Sequence, residues 1–148
     1  MMEIRRALPS DMDFVTELER QSFSVPWSHD GFVFELESPY ADFLIAEEDG
    51  EPAGFAVAHL AGDESELFNI CVAERFRRRG AGERLVSECL RLAKSRGASR
   101  MLLEVRASNK PARALYMKAG FQVLGVRRNY YELPKEDAVI MERELEEK

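Results

Sequence analysis

The run Arg77-Arg78-Arg79-Gly80-Ala81-Gly82, with Arg75 just before it, is the part of the 148-residue sequence richest in chemistry. Four arginines fall within five residues, and two glycines follow at the start of an apolar-periodic segment. A helix start leaves backbone N–H groups unpaired, and the helix dipole adds about half a positive charge there. Glycines at Gly80 and Gly82 let the main chain curl and approach a ligand closely. The combination suits a pyrophosphate, with the backbone N–H groups as the main binding groups and the arginine side chains assisting. No G-K-[ST] follows, so this is not a Walker loop, and the G-x-G-x-x-G spacing of a dinucleotide site is missing. Taken alone, the segment also fits a solvated basic turn or a nucleic-acid patch.

Other reactive side chains are sparse. Cys71 and Cys89 lie in apolar stretches without C-x-x-C spacing and read as buried thiols. His29 and His59 have no neighbouring cysteine or paired histidine, so no metal is expected. Charge is unevenly distributed. Residues 1–74 carry 17 acidic and 3 basic side chains, whereas residues 75–148 carry 10 acidic and 18 basic. One half can attract a cationic partner while the other attracts an anion.

The elements that must position these groups can be read from periodicity and turn residues. Met2–Ala7 reads as a strand. Ser10 is expected to cap a helix over 11–22, with Asp13 completing a capping box. Ser28 caps a second helix running to about Glu37, and Ser38-Pro39 ends it. Strands at Phe43–Glu47, Pro52–Leu60 and Glu66–Val72 are joined by turns at Asp49-Gly50 and Gly62-Asp63. A helix from about Gly82 to Arg96 presents Leu85, Val86, Cys89, Leu90 and Ala93 on one face and closes at Gly97. Arg100–Val105 is a buried-looking strand, and Asn109 precedes a short helix with Pro111 in its first turn, ended by Gly120. Phe121–Val126 and Ala138–Leu145 form a last strand pair joined through Tyr130–Pro134, and the acidic tail Glu142–Lys148 is expected to fray. The fold class is thus α/β (α+β), a mixed sheet with helices on both faces, in one domain spanning 1–148.

With 45% apolar and 32% charged residues, the composition is that of a soluble globular protein. No apolar run reaches the roughly 20 residues of a membrane span, and the N-terminus shows no secretory h-region. A cytoplasmic location is expected, with no membrane association.

In this order the motifs resemble the GNAT acetyltransferase superfamily, whose [QR]-x-x-G-x-[GA] motif matches Arg77-x-x-Gly80-x-Gly82. Within it, the bacterial RimI type is resembled by Pro26-Trp27-Ser28, Phe68-Asn69-Ile70-Cys71-Val72, Leu103-Glu104-Val105-Arg106-Ala107-Ser108-Asn109, Ala114-Leu115-Tyr116, Gly120-Phe121, Arg128-Asn129-Tyr130-Tyr131 and Glu136-Asp137-Ala138. The resemblance covers nearly the whole chain. It implies a mostly antiparallel sheet of about seven strands flanked by about four helices, acetyl-coenzyme A as co-substrate, and transfer to a protein N-terminal α-amine. The implied acceptor is the N-terminal alanine of a small-subunit ribosomal protein. By the same resemblance, backbone groups of Ile70, Cys71 and Val72, the loop residues Arg77, Arg78, Arg79, Gly80, Ala81, Gly82 and Glu83, and the side chain of Asn109 hold the cofactor. Glu104 is the implied general base and Tyr116 the general acid.

The chemistry is compatible with those roles. A peptide α-amine titrates near 7.7–8.0 and needs modest help to lose its proton. Burial in an apolar strand raises a carboxylate's proton affinity, which makes Glu104 a usable base; pairing with Arg106 is the alternative. A phenol is a weaker acid than a thiol, so Tyr116 is expected to hydrogen-bond the leaving sulfur and protonate it late. A bulge near Asn69–Cys71 would free a backbone N–H for the oxyanion. Trp27, Tyr130 and Tyr131 lie where the family grips its peptide, with Trp27 expected against the tyrosines. Glu35, Glu37, Asp42, Glu64 and Glu66 are candidates for drawing in a basic N-terminus. A GNAT enzyme acting on lysine, a polyamine or an aminoglycoside, and a non-catalytic acyl-CoA-binding module, are the competing readings; direct binding of nucleic acid is not expected.

Overall fold

Residues 1–145 are described by the computed structural model. The elements run β1 Met2–Arg6, α1 Met12–Ser22, α2 His29–Glu37, β2 Ala41–Glu48, β3 Glu51–Ala61, β4 Glu64–Val72, α3 Ala81–Ser95, β5 Arg100–Arg106, α4 Lys110–Lys118, β6 Gln122–Tyr131 and β7 Glu136–Glu144. The strands form one sheet in the order β1-β2-β3-β4-β5-β7-β6. Only β4 and β5 are parallel; every other neighbouring pair is antiparallel.

Turn chemistry sets the first half. Asp49 and Gly50 both take positive φ (51° and 84°), the two-residue turn that matches strand twist, and Gly62 (φ 64°) closes the next hairpin. The strands then alternate between two cores. Phe43 and Ile45 of β2 join Phe55, Val57, Met12, Val15, Leu18 and Phe32 beneath α1 and α2. Leu44 and Ala46 face the other way, with Leu67, Met101 and Leu103, against Leu85, Val86, Cys89 and Ala93 of α3. The sheet is therefore sandwiched on both faces around β2–β4.

Three local expectations change. Ser10 does not cap α1: Pro9 starts a 3₁₀ turn through Asp11, and α1 has no side-chain cap. Asp11 turns back instead, accepting the Leu8 N–H at 2.7 Å and a bidentate pair from Arg5 at 2.8 and 2.9 Å. Second, β6 continues through Tyr131. A register irregularity after Arg127, with Asn129 at φ 54°, keeps Tyr130 and Tyr131 in the strand rather than in the connection. Third, Glu142–Glu144 complete β7 against β5, and buried Leu145 donates its N–H to the Ser99 carbonyl at 2.8 Å. The rest of the expected frayed tail, residues 146–148, lies outside the described residues. Among the described residues no helix is long and apolar enough to cross a membrane.

Candidate active site

Helix α3 begins where the basic run ends. Arg78 (φ 66°) and Gly80 (φ 84°) both take left-handed backbone, which bends the chain sharply into the helix. Gly80 is the N-cap and contributes no side chain, so the first-turn N–H groups of α3 have no side-chain acceptor. The starts of α2 and α4 differ. Ser28 Oγ accepts the Gly31 N–H at 3.1 Å at the start of α2, and Asn109 Oδ1 accepts the Ala112 N–H at 3.2 Å at the start of α4. Gly82 is pressed against α4, where an added Cβ would sit 3.2 Å from Leu115 Cδ2.

The arginines around this loop are mostly struts. Arg75 pairs with Glu51 and lies 4.4 Å from the Phe76 ring centroid. Arg77 Nε donates to the Val72 carbonyl at 3.1 Å, tying the loop to the end of β4. Arg79 covers Phe76 from 5.6 Å. Among the described residues Arg79 makes that ring contact but no ion pair, Arg78 makes neither ion pair, hydrogen bond nor ring contact, and Glu83 pairs with Lys118 at 2.7 Å. What the loop offers an anion is therefore chiefly backbone, with Arg78 as the untethered cation.

A split in the sheet lies directly before this loop. β4 and β5 pair only from Glu64↔Arg100 to Leu67↔Leu103. Beyond that, β4 stays on β3 through Gly54↔Val72, while β5 stays on β7 through Arg106↔Ala138. The stretch Phe68–Val72 thus has one edge without a strand partner, facing the gap. A bulge starts the separation: Leu67 opposes Ala58 and Asn69 opposes Val57, so Phe68 is the extra residue. This is one residue before the stretch expected to carry the bulge. Past the exposed Phe68, side chains are tucked away, with Ile70 and Val72 against the α3 core and Cys71 in the α1–α2 core. Along Ile70–Val72, backbone is left to line the slot.

Alternation places the two central side chains on opposite faces of the sheet. Leu103 and Val105 point into the α3 core, so Glu104 points to the other face, where β5, β7 and β6 carry no helix. It pairs with Arg127, not with Arg106: Arg127 Nε is 3.6 Å from Glu104 Oε1. Glu104 Oε2 is buried and accepts no hydrogen bond. Arg106 is engaged elsewhere, donating to the carbonyls of Glu132 and Pro134 at 2.7 and 2.8 Å and lying 4.6 Å from the Tyr131 ring centroid. Tyr116 comes from the α3 side, buried in that core and edge-on to Phe121 at 5.8 Å. Burial, then the neighbouring Tyr131 and Cys89, push the Tyr116 phenol well above its ordinary pKa. The Glu104 carboxylate raises the Tyr130 phenol, while burial and Glu104 push Tyr131 up to about 12. Tyr131 thus lies within electrostatic reach of Glu104, Tyr130 and Tyr116.

Along the Glu104 face runs a line of aromatic and acidic groups. Trp27 packs on Phe32 at 5.2 Å and on Phe68 at 6.4 Å, instead of on the tyrosines. Phe68 meets His59 edge-on at 5.9 Å. Glu66, half-buried two residues before Phe68, has its pKa raised by burial and then by Glu104, opposed by Arg127 and His59. Of the other acidic candidates, buried Asp42 is consumed by Arg6 and Arg96 at 2.8 and 3.0 Å, and Glu64 by Arg100. Glu35 lies 3.9 Å from His59.

Glu19, on α1, escaped the sequence reading. It is 2% exposed, accepting the Trp27 N–H at 2.9 Å and the Asn69 Nδ2 amide at 2.8 Å. The visible signal was a carboxylate at the i+4 and i+7 positions from Val15 and Met12, on the apolar stripe. Cys71 Sγ contacts Ser22 Oγ at 3.1 Å, and burial pushes its pKa up, which disfavours a thiolate nucleophile there. No group of three or more metal-binding side chains occurs among the described residues.

Residues 12–121 match the model of the acetyltransferase (GNAT) family. A Bacillus subtilis (strain 168) protein, provisionally named a ribosomal protein bS18-alanine N-acetyltransferase, is 42% identical over 139 residues, covering 93% of this chain and 92% of its own. The ribosomal protein bS18-alanine N-acetyltransferase of Escherichia coli (strain K12) is 36% identical over 134 residues, covering 89% and 90%. The crystal structure of the ribosomal-protein-S18-alanine N-acetyltransferase from Escherichia coli superposes with a TM-score of 0.91 at 32% identity, covering 100% of this chain and 96% of that one.

Proposed function

Because the chain belongs to the acetyltransferase (GNAT) family, we propose that residues 1–148 act as one domain that moves an acetyl group from acetyl-CoA to the N-terminal alanine of a ribosomal protein of the bS18 kind. The acceptor is supported by the relatives named above, and a location in the cytoplasm follows from it. Transfer at this gap is supported by one observation: the parting of β4 from β5 beside an uncapped glycine helix start, with Glu104 and Tyr116 on opposite faces of the sheet there.

The residues fit a pyrophosphate-bearing thioester. First-turn N–H groups at Ala81–Glu83, the left-handed turn at Gly80 and the untethered Arg78 suit its phosphates. The free edge of Ile70–Val72 suits an extended amide-containing arm, which pairs as a strand would. Asn109 can cap α4 with Oδ1 and still offer its amide N–H₂. Acetyl-CoA supplies an activated acyl carbon and a thiolate leaving group.

The chain's own groups do the rest. Trp27, Phe68, Tyr130 and Tyr131 hold the peptide N-terminus, and Glu66 and Glu104 attract its ammonium group. Glu104 takes the amine proton, directly or through one water, as the nitrogen bonds to the acyl carbon and the carbon–sulfur bond breaks. Unpaired N–H groups at the Phe68 bulge are the donors for negative charge on the acyl oxygen. Tyr116, held neutral by burial, donates its hydroxyl hydrogen to the departing sulfur.

The test is turnover of acetyl-CoA with a peptide beginning Ala-Arg, the acetyl position being mapped by mass spectrometry. Acetylation of the α-amine is the expected result. Absence of turnover, or acetylation confined to lysine side chains, would overturn the proposed acceptor.

A further inference from the structure

Glu19 is fully buried, yet no Lys, Arg or His pairs with it among the described residues. Burying an unpaired carboxylate is costly, and an apolar side chain would serve packing better. Its two oxygens instead divide between two targets. Oε2 accepts the Trp27 backbone N–H at 2.9 Å, and Oε1 accepts the Asn69 amide at 2.8 Å. Trp27 ends the 23–27 segment and packs on Phe68, while Asn69 directly follows the bulged Phe68 where β4 leaves β5. One side chain therefore ties the 23–27 segment to the point where β4 leaves β5.

We propose that Glu19 is a positioning residue of the acceptor site, locking the 23–27 segment to the β4 bulge and so fixing the acceptor amine relative to the reacting centre. The proposal rests on the acceptor reading above only for its kinetic consequences. The lock itself is a property of the chain. A carboxylate suits the place because both partners are N–H donors that reach different ends of the group, and it presents an acceptor oxygen at each end.

Trp27 is the only tryptophan in the sequence, so its fluorescence reports the position of the segment without any turnover. Glu19→Gln leaves one acceptor oxygen and turns an N–H₂ toward one of the two donors. Asn69→Asp sets two carboxylates against each other. The double variant Glu19→Gln/Asn69→Asp restores the pattern, since the new amide donates to the new carboxylate while its oxygen still accepts from Trp27.

Each single variant is expected to raise acrylamide quenching of Trp27 and to raise the acceptor KM by about fivefold or more, with the KM for acetyl-CoA moving less than about twofold. The double variant is expected to return both readouts to within about twofold of wild type. Wild-type quenching and acceptor KM in both singles, or a double variant as impaired as the singles combined, would overturn the proposal. A merely structural role would lower Tm and leave the acceptor KM unmoved. If Glu19→Gln does not fold, Asn69→Ala removes one of the two bonds and carries the same expectations. Should the wild type acetylate no peptide, the acceptor reading fails, while the quenching measurements still decide the role of Glu19.

Discussion

The two faces of the sheet are built from different materials where β4 and β5 part. On the α3 side, the groups proposed to face the cofactor are backbone: the helix start at Gly80–Glu83 and the free edge of Ile70–Val72, with Arg75, Arg77 and Arg79 spent on bracing. On the other face the groups proposed to meet the acceptor are side chains: Glu104, Glu66, Trp27, Phe68 and Tyr130, with Glu19 beneath bonding the Trp27 N–H and Asn69. A pyrophosphate presents the same oxygens in every turnover, and amide N–H groups held by a helix meet them without side-chain entropy. A peptide N-terminus must be told from other amines, which takes side chains of particular shape and charge. Substitutions on the two faces should therefore separate kinetically.

The largest expected effect lies on the acceptor face. Glu104→Gln removes a carboxylate whose Oε2 is buried and accepts no hydrogen bond and whose Oε1 faces Arg127 at 3.6 Å. A decrease in kcat of about 10²- to 10⁴-fold is expected, with acetyl-CoA affinity by calorimetry little changed. Tyr116→Phe comes next, at about 10- to 100-fold in kcat, because the lost group is one hydrogen-bond donor to developing charge. The pH profile sharpens this. Burial raises the Tyr116 pKa, so the phenol stays protonated as pH rises through its ordinary range near 10. The rising limb of kcat/KM should therefore persist in Tyr116→Phe, and no falling limb below about pH 10 should vanish with it. Loss of such a limb would show that Tyr116 titrates in turnover.

On the α3 face the effects should appear in acetyl-CoA affinity. Gly80 sits at φ 84° with nothing within 4 Å of a built Cβ, so the obstacle to a side chain is conformational and not steric crowding. Gly80→Val should cost about 1–2 kcal/mol in that backbone state and raise the acetyl-CoA KM about 5- to 30-fold, leaving kcat at saturation closer to wild type. An equal change in acceptor KM would contradict the division between the faces.

Much of this was legible beforehand because turn residues act locally. Asp49-Gly50, Gly62, Gly97 and Gly120 all take the positive φ that glycine-rich turns require, and Ser28 caps α2 as its spacing implied. Where a neighbour intervened, the reading slipped. Pro9 pre-empted Ser10 by starting a 3₁₀ turn, and the pairing of β6 with β7 carried Tyr130 and Tyr131 into a strand. Asp42 and Glu66 are indistinguishable as acidic residues in a sequence. Arg6 and Arg96, both distant along the chain, bury the first, whereas the second faces Glu104. Glu19 was the hardest to see, since its meaning lies in Asn69, fifty residues away.

The smallest effect tests a residue that belongs to both kinds of construction. Asn109 Oδ1 caps α4 by accepting the Ala112 N–H at 3.2 Å, and α4 in turn carries Tyr116 and the Leu115 side chain that meets Gly82. Its cap is thus a bracing contact, while its amide N–H₂ is the proposed cofactor contact. Asn109→Ser keeps a capping oxygen and removes the amide donor; Asn109→Ala removes both. Capping by serine is nearly as good as by asparagine, and losing the cap costs about 1 kcal/mol. For a domain of this size, that predicts a fall in Tm of roughly 2–5 °C for Asn109→Ala and little change for Asn109→Ser. If the amide contacts the cofactor, both variants should raise the acetyl-CoA KM by about three- to tenfold, one neutral hydrogen bond being worth about 1 kcal/mol. A rise seen only in Asn109→Ala would assign the whole effect to the cap, leaving the cofactor side of the gap built from backbone and Arg78 alone.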